Sequence, residues 1–203
     1  MPLGGRGGLS HLMSGVAGLL GPRGPLLSAM EALPLANPNY NLAREFQINC
    51  QRCVWAFEML RRGFSVEAAR SDSSDYVGSI RSIHDFWSSA RNADQKYWLR
   101  VDRMASTVAG QYAVVEKKMK EWGEGSRAIL ANVWNGGGGH IWNVEYSGGK
   151  VHYYDGQIGR EVDIAGRNSR TKVLDIFARV DNLDILEDIM KAVVVKKKRR
   201  TNR

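Results

Sequence analysis

Gly139-His140-Ile141-Trp142-Asn143-Val144-Glu145-Tyr146-Ser147-Gly148-Gly149-Lys150-Val151-His152-Tyr153-Tyr154-Asp155 is the stretch on which the fold turns. Two runs rich in Val, Ile, Trp and Tyr flank residues 147–150, whose side chains suit a tight hairpin turn. Residues 140–146 and 151–155 are therefore predicted as antiparallel neighbours. Working outward, residues 127–134 and 172–180 have the same composition and read as further strands. Before Gly125 the period changes to that of helices. Asn49 precedes residues 50–62, where Cys50, Cys53, Phe57 and Leu60 recur at helical spacing and Gly63 follows as a stop. Ile80, Ile83, Trp87 and Ala90 share a second helical face, and Val108, Tyr112, Val115 and Met119 a third, ended by Gly123. Leu183, Leu186, Ile189, Met190 and Val193 mark a closing helix. Helices first and an antiparallel sheet afterwards define an α+β arrangement.

The 203 residues, 43% of them hydrophobic and 25% charged, are enough for one sizeable core, so one domain is the expectation. No apolar run reaches the roughly 18 residues that cross a bilayer, and residues 12–20 are broken by Gly15 and Gly18. A secretory leader is not expected there either, because Pro22, Arg23, Gly24 and Pro25 stand where small residues would mark cleavage. Residues 1–38 hold eight glycines and all five of the chain's prolines, four of them by position 34, and they read as a flexible Gly/Pro-rich arm. The folded domain is expected over 39–195 and a basic tail over 196–203. The net charge of +8 would suggest nucleic acid, but seven of those charges are Lys191, Lys196, Lys197, Lys198, Arg199, Arg200 and Arg203. Residues 1–190 are left nearly neutral, at +1. The tail reads equally as a solubilising end or as a non-specific contact, through charge alone, with nucleic acid or an acidic surface.

The chain has two cysteines, Cys50 and Cys53, three apart at a helix start. A zinc site would need two further ligands, and His140 and His152 lack the close paired spacing of a zinc finger. A redox pair would want a βαβ context. The third reading is one nucleophilic thiol beside one structural neighbour. Free N–H groups and the helix dipole favour a thiolate there and can hold an oxyanion once sulfur attacks a carbonyl. Such a thiol needs a base oriented by a third group. His140 opens one strand and Asp155 ends its hairpin partner, which brings both to one sheet edge. The bland readings are a cysteine that is only a small hydrophobe, a strand-edge histidine and an aspartate in a turn before Gly156.

Asn49-Cys50-Gln51-Arg52-Cys53, with Glu58 and Arg61-Arg62-Gly63, resembles the opening helix of the papain-fold toxin family described as glutamine deamidases. The stretch from Gly139 to Val144 and the run from Val151 through Asp155-Gly156-Gln157 resemble that family's histidine and aspartate strands. Arg179-Val180-Asp181-Asn182-Leu183 is similar to a segment near its end. The resemblance implies a papain-like fold with a Cys-His-Asp triad of Cys50, His140 and Asp155, acting on a protein glutamine without metal or cofactor. Papain's own spacing, with a glutamine six positions before the nucleophile, is imitated by Gln47, Cys53 and Trp55, so Cys53 stays open as the alternative nucleophile. Cys50 is preferred because it directly follows Asn49, where the dipole acts most strongly, whereas Cys53 falls on the core-facing stripe. Gln47, Asn49 and Gln157 are assigned to the oxyanion site or its wall.

The Asn-Cys-Gln-Arg-Cys form is most similar to the phage-associated branch. That implies a protein substrate, a location in a virion or host cytoplasm, and contact with phage head components. A head-associated structural protein that keeps the fold, or a cysteine protease, are the alternatives. Residues 71–122 match nothing in the family and read as an insertion.

Overall fold

A computed structural model describes residues 24–71, 98–164, 169–182 and 194–196. The predicted helix around Ile80–Ala90, the closing helix and residues 197–203 lie outside the described residues. The architecture is α+β and papain-like: helices over one face of an antiparallel sheet, with a further helix on the other.

Helix α1 (Ala29–Ala36) is the first departure from expectation, because it lies inside the stretch read as an arm. Ser28 and Glu31 form a capping box, the Ser28 hydroxyl accepting the Glu31 N–H and the Glu31 carboxylate accepting the Ser28 N–H at 2.8 Å. Ala29, Ala32, Leu33 and Ala36 make a narrow buried stripe of small side chains. Two turns of small residues with Pro34 among them carry too weak a period to stand out beside glycine-rich neighbours.

Helix α2 (Cys50–Arg61) follows, and every residue from Gln51 to Leu60 is buried. It ends at Gly63, whose φ of +87° suits glycine and whose Cα faces the Gly24 carbonyl so closely that a Cβ would stand 2.6 Å from it. A helix buried on all sides must satisfy its charges internally. Glu58, with no exposure, accepts from Arg62 at 2.7 Å and from Arg127 at 2.8 and 2.9 Å. Arg61 reaches Glu145 on the sheet as a two-pronged pair.

Among the described residues, strands β2 (Trp98–Arg100), β3 (Arg127–Trp134), β4 (Gly139–Ser147), β5 (Lys150–Asp155), β6 (Arg160–Glu161) and β7 (Thr171–Arg179) form one antiparallel sheet in the order β2-β7-β3-β4-β5-β6. The β4–β5 hairpin closes where expected, with Ser147 opposite Lys150 and positive φ at Gly148 and Gly149. Alternation along the strands splits the core in two. Ile129, Ala131, Ile141, Tyr154 and Ala178 face α1 and α2, whereas Leu130, Trp142, Val144, Leu174 and Phe177 face α3 (Val108–Trp122) with its Tyr112, Val115 and Met119. Thr107 caps α3 by accepting the Gly110 N–H at 3.1 Å. The later part of the supposed insertion is therefore core, covering the sheet face opposite α2.

A separate two-stranded ladder pairs β1 (Val66–Ala68) with β8 (Val194–Lys196), Val66 opposite Lys196. Lys196, read as the first residue of a free tail, thus has its backbone in a strand.

Candidate active site

The chemistry gathers where the N-terminus of α2 meets the open end of β4 and the end of β5. Cys50 is the first helical residue and is half-buried. It lies on a cleft of about 650 Å³ whose walls include Gln47, Ile48, Gln51, Trp134, His140 and Gln157. The N–H groups of Cys50 and Gln51 fall in the helix's first turn, where no carbonyl of the helix can reach them. That end of the helix is suited to hold an oxyanion.

His140 lies between the thiol and the carboxylate. Its Nε2 is 2.8 Å from Asp155 Oδ2, and Cys50 lies close enough to favour the charged imidazole. The sheet register explains the first contact. Asn143 pairs with Tyr154, so the next step sets Asp155 across from Trp142, and His140 is two residues further along the same face. Residues related by that diagonal reach each other with polar side chains. Trp134 stacks on the imidazole at 6.2 Å between ring centres and Trp142 meets it edge-on at 5.4 Å, walling it from solvent.

Burial by itself would push the His140 ring toward the neutral form. The Asp155 carboxylate and then Cys50 outweigh it, and the imidazole pKa rises from 6.5 to about 9. Asp155 is 1% exposed, and its second oxygen accepts the Gln157 N–H at 3.1 Å.

Cys53, the alternative nucleophile, is placed differently. It has no exposure, its Sγ donates to Asn49 Oδ1 at 3.2 Å, and burial first, then the charges of Cys50 and Asp155, push its thiol well above the ordinary range. It does not line the cleft.

Asn49 stands at the N-cap position, but its side chain makes no cap bond. Its Oδ1 instead takes Cys53 Sγ and Gln157 Nε2, the latter at 3.4 Å, and its Nδ2 donates to the Ala69 carbonyl at 3.0 Å. Gln157 is buried in the wall, while Gln47 is exposed at the rim. His152 is remote from the cysteines, near the hairpin turn, where it meets Glu161 at 2.8 Å and stacks on Tyr154. Among the described residues no three His, Cys, Asp or Glu side chains cluster as a metal site would require.

Sequence reasoning missed Trp134, Gln51 and Asn37. Trp134 had a signal, lying one residue from the glycines that precede His140. Gln51 follows the thiol directly, and its buried Oε1 has no hydrogen-bond partner. Asn37, whose side-chain amide meets Asn49 Oδ1 and the Gln157 carbonyl, has no local signal at all.

A papain-like α+β fold with cysteine at a helix start, histidine on one strand and aspartate on the next defines the class. The family described as papain fold toxin 1, glutamine deamidase, matches residues 48–160, more than half of the chain, and the chain belongs to it. Membership supports a function of the deamidase or cysteine-hydrolase kind, with a protein as substrate. No curated protein and no solved structure gives a significant match.

Proposed function

We propose that this chain deamidates a glutamine side chain of a target protein, with Cys50 as nucleophile, His140 as general acid and base, and Asp155 orienting the imidazole. The observation that carries the reading is the His140–Asp155 hydrogen bond, with His140 and Cys50 opening side by side onto one cleft. With the proton on His140 rather than on sulfur, Cys50 attacks the carboxamide carbon, and the carbonyl electron pair moves to an oxygen held by first-turn N–H groups. Collapse of this intermediate breaks the C–N bond as His140 passes its proton to the leaving nitrogen, releasing ammonia and leaving a thioester. Water, deprotonated by His140, then adds to the thioester; glutamate leaves and the thiol is restored. Asp155 holds the ring through Nε2, so that the other nitrogen faces sulfur throughout.

Cys53 acts as packing within α2, and Gln47 and Gln157 as parts of the cleft wall. Assignment to the phage-associated branch is supported by the Asn49–Cys53 motif. Contact of Lys196, Lys197, Lys198, Arg199 and Arg200 with an acidic surface or nucleic acid is supported by their charge alone.

The test is incubation of the full chain with a glutamine-bearing peptide, reading ammonia, glutamate and new N-termini by mass spectrometry. Glutamate and ammonia in equal amounts, lost in Cys50→Ala, are expected. New N-termini would make it a protease, and no product at all would favour a structural protein that keeps the fold.

A further inference from the structure

Asn37 precedes the family-matched stretch, yet its side chain joins both halves of the site. Its Nδ2 donates to the Phe46 carbonyl at 2.8 Å and to the Gln157 carbonyl at 3.0 Å. Its amide also faces that of Asn49 in both directions, at 3.3 and 3.2 Å. Asn49 directly precedes the thiol residue, and Gln157 follows Asp155 by two and donates its own N–H to that carboxylate. The residue is 6% exposed, so water is poorly placed to replace these donors.

Two frames meet at the site. The sulfur rides on α2, and the imidazole is set by Asp155 on the hairpin. Contacts such as Asn143 Nδ2 to the Val54 carbonyl, at 3.1 Å, tie the frames together further along the helix. At the catalytic end, the planar Asn37 amide clamps the residue before the thiol to the turn after the carboxylate. Helices α2 and α1 seat that turn between them, since Gly156 lies against the Cys53 carbonyl and Ala36, where a Cβ would stand at 3.2 and 3.5 Å.

We propose that Asn37, the residue that ends α1, is a positioning residue that fixes Cys50 against His140, so that the stretch before the family match contributes one side chain to the frame of the active site. The proposal rests on the reading of Cys50 and His140 as the reacting pair. A displacement of about 1 Å between reacting groups costs on the order of a hundredfold in rate, so a clamp of this kind acts on the chemical step.

The test is iodoacetamide labelling of Cys50 against pH, with peptide mapping and thermal unfolding, on wild type, Asn37→Asp, Asn37→Ala and Leu33→Ala. Asn37→Asp keeps shape and acceptor but loses all three donated contacts, to the Phe46 and Gln157 carbonyls and to Asn49 Oδ1. Both Asn37 variants are expected to slow Cys50 labelling near pH 6 by about tenfold or more. Their profiles should approach that of His140→Ala, and turnover of a glutamine peptide should lose kcat more than KM. Leu33→Ala, which loosens α1 without touching the amide, should lower Tm and leave the profile in place. If Asn37→Ala does not fold, Asn37→Asp decides. A wild-type profile in Asn37→Asp, or an equal shift in Leu33→Ala, overturns the proposal. Absence of His140-dependent labelling in wild type would instead remove the reading of the site beneath it.

Discussion

Cys50 and Cys53 are one helical turn apart, yet one opens onto the cleft beside His140 while the other is sealed and donates to Asn49 Oδ1 at 3.2 Å. Cys50→Ala is expected to abolish product formation. Cys53→Ala should keep turnover within about threefold while losing about 1 kcal/mol of stability, the size of a buried sulfur contact and one weak hydrogen bond. Peptide turnover and urea unfolding check both. Turnover surviving in Cys50→Ala and lost in Cys53→Ala would exchange the roles.

Glu58 is fully buried with Arg62 and Arg127 on its carboxylate. Burial would raise its pKa, but the two guanidiniums overcome this and hold it below 4.5. A depressed carboxylate contributes stability that is present above its unfolded pKa and lost as pH falls through the folded value, so the effect lies below about pH 4.5. Glu58→Gln should cost about 3–5 kcal/mol at neutral pH, because it leaves two cations facing an amide. It should also flatten the acid limb of the stability profile. Chemical denaturation between pH 3 and 7 measures both, and a variant as stable as wild type would contradict the account.

The imidazole of His140 makes the opposite prediction at alkaline pH. Its folded pKa is raised from 6.5 to about 9, so its contribution is fully present below 6.5 and is lost as pH rises through 9. Thermal unfolding of wild type should therefore weaken over that window relative to His140→Ala. Parallel pH dependences of the two proteins would show that the imidazole is not held charged.

Gly156 offers a test by crowding. A Cβ there meets the Cys53 carbonyl at 3.2 Å, within a helix whose backbone cannot yield easily. Gly156→Ala should push the Asp155–Gln157 turn away from α2 and lower kcat about tenfold or more with the fold intact. Peptide turnover beside a circular dichroism spectrum checks this, and unchanged kcat would show that the turn tolerates displacement.

The helix bearing the cysteines, the hairpin and the two long flanking strands were legible because each repeats its pattern over six or more residues or carries its own turn glycines. From the hairpin register alone, His140 and Asp155 could be set at one sheet edge. Strands of two or three residues, such as β1 and β6, are too short to alternate, and α1 is stabilised by packing more than by propensity. Asn49 reads as a cap from its position, yet Cys53 one turn along and the distant Gln157 claim its side-chain oxygen. Asn37 joins segments 12 and 120 residues away, a relation that no local spacing encodes.

The central claim is that His140 activates Cys50. Its most direct test is the rate of iodoacetamide labelling against pH, mapped by peptide, on native protein and His140→Ala. The account predicts selective labelling of Cys50 near pH 6 that His140→Ala abolishes. Slow labelling of both cysteines, with a midpoint near the ordinary thiol value of about 8.5 and no effect of the substitution, would contradict it.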